Sequence, residues 1–141
     1  QMLICPQLDD RHRTVSSLQC SVANGAIDPW PRETNQYAWN ALLGQGHEDR
    51  EDVSIYASPA RATDLSGLPQ TYIDAGGNEV FRDADVAYAS LLWECGVNAE
   101  LHIWPGAYHG FDVLAPLAPV SNAAREARNN WLTRVLTASL P

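Results

Sequence analysis

A strand, a helix and a second strand follow one another in the second half of this chain, and this order constrains the fold most. Residues 71–75 are rich in β-favouring types, residues 83–95 carry apolar side chains at a spacing of three and four, and residues 100–104 are again β-rich. The 25 residues from 72 to 96 are enough for a right-handed crossover between parallel strands. The sequence therefore predicts an α/β fold with a parallel sheet.

The remaining segments predict one more strand and two more helices. Residues 2–5 form an apolar run that predicts a buried strand, residues 31–43 and 121–138 predict helices, and residues 6–31 predict an ordered loop. Parallel strands need cover on both faces, and three strands make a small sheet for such helices. We therefore expect this chain to be part of a larger sheet.

The charge balance excludes several classes of partner. Nine arginines, no lysine and 17 acidic residues give a net charge of −8, which disfavours nucleic acid and anionic membrane surfaces. No apolar stretch approaches the roughly 20 residues of a membrane span. Cys5, Cys20 and Cys95 lie far apart without a Cys/His cluster, which argues against a zinc site and a disulfide framework. Their odd number favours a reducing compartment such as the cytoplasm, and we expect no metal or cofactor.

Two residues with acid–base chemistry follow neighbouring strands. Glu79 comes after the strand at 71–75, and His109 comes after the strand at 100–104. Because the carboxyl ends of parallel strands share one edge of a sheet, we expect the two side chains to lie side by side. A carboxylate beside a histidine is the orienting acid and general base of many hydrolases. Asp83 is a competing acid, which we interpret as the N-cap of the helix. A solvated Glu and a surface His are the simpler alternative.

Several motifs carry a resemblance to a known family. They are residues 6–11 (PQLDDR), residues 37–44 (YAWNALLG), residues 56–65 (YASPARATDL) with residues 67–69 (GLP), residues 77–85 (GNEVFRDAD) and residues 104–112 (WPGAYHGFD). Together they resemble the carboxyl-terminal half of α/β-hydrolases of the hormone-sensitive-lipase-like carboxylesterase family. The resemblance implies that residues 1–141 are the C-terminal segment of one hydrolase domain, a parallel sheet with flanking helices that is incomplete without an N-terminal portion. It assigns His109 as the general base of a Ser-His-Glu triad and Glu79 as its acid.

The sequence departs from the family pattern at the nucleophile. It contains neither G-x-S-x-G nor the H-G-G-type oxyanion motif. We therefore expect the serine on an N-terminal half of the same hydrolase, carried by a separate or cleaved chain, and this chain alone to be inactive. The expected activity is hydrolysis of small carboxylic esters. The alternatives are a non-hydrolytic enzyme of this fold (a cyclase, lyase or isomerase) and a small-molecule-binding protein on the same scaffold.

Aromatic residues around His109 are candidates for the substrate pocket. Tyr108 and Phe111 flank it in the sequence, and Tyr37 is a further candidate, with core packing as the alternative for each. The resemblance also implies a homodimer through the edge strand at 100–104.

Overall fold

A three-stranded parallel sheet organises residues 1–138, the part of the chain that this computed structural model describes. The strands are β1 (Met2–Ile4), β2 (Thr71–Gly76) and β3 (Ala99–Trp104), in the spatial order β1-β2-β3. β2 is buried along its whole length because it pairs on both sides. The prediction of an α/β fold with a parallel sheet is confirmed.

Five α-helices accompany the sheet within residues 1–138. The predicted helices are confirmed to within two residues, and two short helices come in addition. The bounds are α1 (Val15–Gln19), α2 (Arg32–Leu43), α3 (Arg82–Glu94), α4 (Phe111–Leu114) and α5 (Pro119–Ala138). The side chain of Ala138, where the last predicted helix ends, lies outside the described part, as do residues 139–141.

The loop predicted for residues 6–31 is wrong, because it contains α1 and a 3₁₀ turn at Val22–Asn24. The Thr14 hydroxyl caps α1 by accepting the backbone N–H of Ser17 at 3.2 Å. α1 has only five residues, and its apolar side chains Val15 and Leu18 are exposed. It therefore lacks the buried stripe by which a sequence reveals a helix.

The predicted N-cap role of Asp83 is also wrong. α3 begins at Arg82, one residue before Asp83, and Phe81 occupies the cap position without a side-chain hydrogen bond. The Asp83 carboxylate instead accepts the backbone N–H of Ser16 at 2.7 Å and the Arg82 guanidinium at 2.8 Å. Ser16 lies in the first turn of α1, where backbone N–H groups lack helical partners. Asp83 thus ties α1 to α3.

Side chains of β2 alternate between two packed faces of the sheet. Ile73 belongs to an apolar cluster with Ala89 and Leu92 of α3. Tyr72 points the other way, with its ring 5.7 Å from that of Trp131 on α5. The sheet is therefore covered on one face by α3 and on the other by α5.

Buried ion pairs fix the segments that pack on the sheet. Arg128 of α5 donates to both oxygens of Asp74 on β2, at 2.7 and 3.1 Å, and also pairs with Asp112 of α4. On the other side, Arg61 donates to both oxygens of the fully buried Asp10.

The Asp10 carboxylate has a second partner in His47, whose Nδ1 lies 2.9 Å away. Burial alone would raise the pKa of Asp10, but hydrogen bonds from Arg61, Ser58 and His47 outweigh it and hold that pKa well below its usual range. The cluster joins the segment after β1 to the segments around residues 47 and 61. Within residues 1–138, no helix has the length and hydropathy that crossing a bilayer requires.

Candidate active site

Backbone contacts join the turn after β2 to the turn after β3. The N–H of Gly77 donates to the carbonyl of Trp104 at 2.7 Å, and the N–H of Asn78 donates to that of Ala107 at 2.9 Å. Gly76 approaches so closely that a Cβ there would lie 2.4 Å from the Ala107 oxygen. Only glycine fits this crossing, which brings the two turns into direct contact.

Glu79 and His109 meet at this contact. One carboxylate oxygen of Glu79, Oε2, accepts the N–H of Gly76 at 2.7 Å, and the other, Oε1, lies 3.5 Å from Nδ1 of His109. Glu79 is fully buried, whereas the His109 side chain is 27% exposed. The structure therefore places the two predicted residues side by side, with the carboxylate on the inside and the imidazole toward solvent.

Two aromatic rings and a second carboxylate also contact His109. Phe81 meets the imidazole edge-on, with ring centroids 5.2 Å apart, and Trp30 lies 5.9 Å away. The backbone N–H of His109 points to Asp28 Oδ2 at 3.5 Å. A proton on Nδ1, directed at Glu79, leaves Nε2 as the acceptor of this imidazole.

Asp28 belongs to the site but was missed from the sequence. Burial raises the pKa of its carboxyl, and hydrogen bonds from the N–H groups of Trp30 and His109 oppose that rise. The residue lies between Gly25 and α2, in a segment without periodicity or motif. Asp28 and His109 are 81 residues apart in the chain, and only folding brings them into contact.

Cys5 is the second residue that the sequence did not reveal. It follows β1 in the left-handed region, with φ 45°, and its N–H donates to the carbonyl of Asp74 at 2.7 Å. Its sulfur, a Glu79 oxygen and a His109 ring nitrogen all lie within 4.8 Å of one another. Burial, and then the neighbouring Glu79 carboxylate, raise the pKa of the Cys5 thiol far above its usual range.

The contact between Cys5 and His109 arises only through folding. The sequence has no local Cys/His cluster, and the fold brings Cys5 to His109 across 104 positions of the chain. The spacing along the chain gives no signal for such a contact, since it depends on β1 lying beside β2.

The three predicted pocket residues lie in three different environments. Tyr108 lines a cleft of about 540 Å³ together with Asp28 and Arg82. Phe111 is 1% exposed and packs in the core with Ala107 and Ala124. Tyr37 is on α2 with its side chain 76% exposed.

A parallel sheet with a buried carboxylate beside a histidine at its carboxyl edge is typical of the α/β-hydrolase class. Residues 1–113 match the family described as alpha/beta hydrolase fold, and the chain belongs to that family. Within it, the chain is a member of the hormone-sensitive-lipase-like carboxylesterases.

Two curated relatives come from Mycobacterium tuberculosis. The chain is 37% identical to Esterase LipI over 87 residues, which are 62% of this chain and 26% of the relative. It is 46% identical to Esterase LipU over 72 residues, which are 50% of this chain and 23% of the relative. The chain thus spans about a quarter of the length of these relatives.

Solved structures agree with the fold. A bacterial heroin esterase is 40% identical with a TM-score of 0.79, and the match covers 88% of this chain and 38% of that one. Esterase LipW from Mycobacterium marinum is 35% identical with a TM-score of 0.77, covering 88% of this chain and 36% of that one.

Proposed function

We propose that this chain provides the general base, His109, and the orienting acid, Glu79, of a carboxylic-ester hydrolase. The observation that carries the proposal is the 3.5 Å approach of Nδ1 to a fully buried carboxylate at the carboxyl ends of two parallel strands. A buried carboxylate holds the imidazole in the tautomer whose Nε2 accepts a proton. The esterase relatives support the same function.

The chemistry follows from this tautomer. His109 Nε2 takes the proton of an attacking serine hydroxyl and returns it to the leaving alcohol, and the same exchange with water releases the acid. Glu79 keeps its charge throughout and stabilises the imidazolium that forms between these steps. The Gly76 N–H bond to Oε2 keeps the carboxylate aimed at the imidazole.

The serine and the oxyanion donors are proposed to come from polypeptide outside residues 1–141, because the sequence contains no G-x-S-x-G. An N-terminal half of the same hydrolase, on a separate or cleaved chain, would supply them. Residues 1–141 alone are then inactive, since a His-Glu pair without nucleophile and oxyanion donors lacks the larger part of the catalysis.

We propose small carboxylic esters as substrates. The cleft beside Tyr108, at about 540 Å³, falls in the range of small-molecule sites. One related structure, that of EstE5, was soaked with p-nitrophenyl butyrate, which makes this ester a suitable first probe.

The test is p-nitrophenyl butyrate turnover by the protein that carries this chain. His109→Ala should lower kcat by about 10⁶-fold and Glu79→Gln by about 10⁴-fold, the losses typical of a removed base and a removed acid of such a triad. The matched controls are His102→Ala, on β3, and Glu94→Gln, exposed at the end of α3, and they should retain activity.

Two results would contradict the proposal. If His109→Ala keeps the activity of the His102→Ala control, His109 is not the base. If the protein binds a small acid but turns over no ester, the binding-protein alternative is favoured, and isomerised or cyclised products would indicate a non-hydrolytic enzyme.

We also propose that a second copy pairs through residues 100–104. β3 pairs on only one side among the residues 1–138 that the structure covers, which supports this edge as an interface. Sedimentation equilibrium should give a dimer of the whole protein, and a monomer at micromolar concentration would contradict the interface.

A further inference from the structure

We propose that Cys5, Glu79 and His109 form a binding site for a thiophilic divalent cation such as Zn²⁺ or Cd²⁺, and that the bound cation switches off the base. The effect on turnover rests on the proposed function, whereas the binding does not. The three side chains offer a sulfur, an oxygen and a nitrogen ligand that lie within 4.8 Å of one another.

The donor geometry is close to that of a tetrahedral site. Zinc bonds of about 2.3 Å to sulfur and about 2.0 to 2.2 Å to nitrogen and oxygen place neighbouring ligand atoms about 3.3 to 3.7 Å apart. Nδ1 of His109 and Oε1 of Glu79 already have this separation, at 3.5 Å. The sulfur and the other two donors need to approach one another by about 1.1 to 1.5 Å at most, and His109 is the partly exposed member of the three.

The surrounding structure orients two of the ligands. The Gly76 N–H holds Oε2 of Glu79, which leaves Oε1 directed at the cluster. The Cys5 N–H donates to the carbonyl of Asp74, which fixes the backbone of Cys5 where β1 ends. Such outer hydrogen bonds raise metal affinity by keeping ligands in place.

The chemistry of the donor set selects the cation. A thiolate favours Zn²⁺ and Cd²⁺ over Mg²⁺ and Ca²⁺, which prefer oxygen ligands. On binding, the cation takes the place of the thiol proton, which is released to solvent. Three protein ligands leave a fourth position for water.

Binding would block catalysis directly. The proton on Nδ1 would pass through solvent to Nε2, so that the Nδ1 lone pair could go to the cation, and the Nδ1–H bond to Glu79 would be lost. His109 could then no longer cycle between imidazole and imidazolium as the base requires. A cation here is therefore an inhibitor and not a cofactor of the ester hydrolase.

Cd²⁺ titration followed by ultraviolet absorption tests the binding, because a Cd²⁺–thiolate bond gives a charge-transfer band that is independent of esterase activity. In the protein that carries this chain, the band should grow with added Cd²⁺ and then level off once Cys5 is fully ligated. The band should vanish in Cys5→Ser, persist in Cys20→Ser and Cys95→Ser, and require at least about tenfold more Cd²⁺ in His109→Gln.

Three results of the Cd²⁺ titration would contradict the proposed site. A band unchanged in Cys5→Ser, or lost in Cys95→Ser, would overturn the site, as would no saturable band in the unmodified protein. Circular dichroism identifies a Cys5→Ser variant that fails to fold, and then His109→Gln, with its side chain at the solvent boundary, carries the test.

Turnover of p-nitrophenyl butyrate with added Zn²⁺ tests the regulation separately. Zn²⁺ should inhibit the unmodified protein and at least about tenfold less the Cys5→Ser variant. Equal inhibition of both would overturn the regulatory role. If the protein hydrolyses no ester at all, the proposed function fails, while the Cd²⁺ band still decides the binding site.

Discussion

Replacing Gly76 by alanine tests how the fold holds the acid beside the base. Gly76 ends β2, and an added Cβ would lie 2.4 Å from the Ala107 oxygen and 2.8 Å from its carbonyl carbon. Real Cβ contacts with such atoms begin at about 3.0 to 3.4 Å, so the turn after β3 must move by about 0.6 to 1.0 Å, an overpacking change of the kind that forces backbone shifts.

That movement has two calculable consequences. Overpacking of this kind lowers the free energy of unfolding by about 1 to 3 kcal/mol. The turn that moves also carries His109, whose Nδ1 is already 3.5 Å from Glu79. A misplacement of about 1 Å at a catalytic group costs about 100-fold in rate, so kcat should fall by about that factor.

Gly96→Ala is the matched control. Gly96 has φ +75°, and no atom of the described residues lies within 4 Å of an added Cβ, so the substitution strains the backbone by about 1 to 2 kcal/mol without touching the site. Urea denaturation and p-nitrophenyl butyrate turnover should show similar stability losses in both variants, but a rate loss only in Gly76→Ala. Full activity in Gly76→Ala, or an equal rate loss in Gly96→Ala, would refute this explanation.

Two further predictions concern buried carboxyl groups, and urea denaturation from pH 3 to pH 8 checks both. Asp10→Asn should destabilise the fold by about 3 kcal/mol or more at neutral pH, because it leaves Arg61 without its buried partner. Since the folded pKa of Asp10 is depressed, the stability difference between the variant and the unmodified protein should shrink as pH falls below about 4. A stability difference that does not depend on pH would contradict the role of the cluster. Asp85 is fully buried, neither of its oxygens has a hydrogen-bond partner among the described residues, and burial raises its pKa well above the usual value. Its folded form therefore loses stability as pH rises past the ordinary Asp range, so Asp85→Asn should gain stability relative to the unmodified protein with rising pH, and a constant difference would contradict that assignment.

Much of the fold follows from local patterns. The β-rich segments around residues 73 and 102 and the stripe on α3 are continuous signals, and a crossover of that length permits few topologies. Glu79 and His109 could be paired in advance because each follows a strand and parallel strands end at one edge. That part of the site is a consequence of topology and not of side-chain detail.

The remaining features depend on contacts between distant segments. Cys5 reaches His109 only because β1 pairs with β2, and Asp28 reaches the same histidine through an irregular segment. In the sequence Asp83 is typical of a helix N-cap, but its carboxylate accepts the backbone N–H of Ser16 on α1, 67 residues away. A single sequence carries no periodic signal for such pairs.

Labelling with a fluorophosphonate tests the central claim most directly, because this reagent reports an activated serine whatever the substrate is. Mass spectrometry of the protein that carries this chain should find the label on a serine outside residues 1–141, and His109→Ala should abolish the labelling while His102→Ala does not. A label on Ser58 or any other serine within residues 1–141, or labelling of His109→Ala at the unmodified rate, would contradict the account.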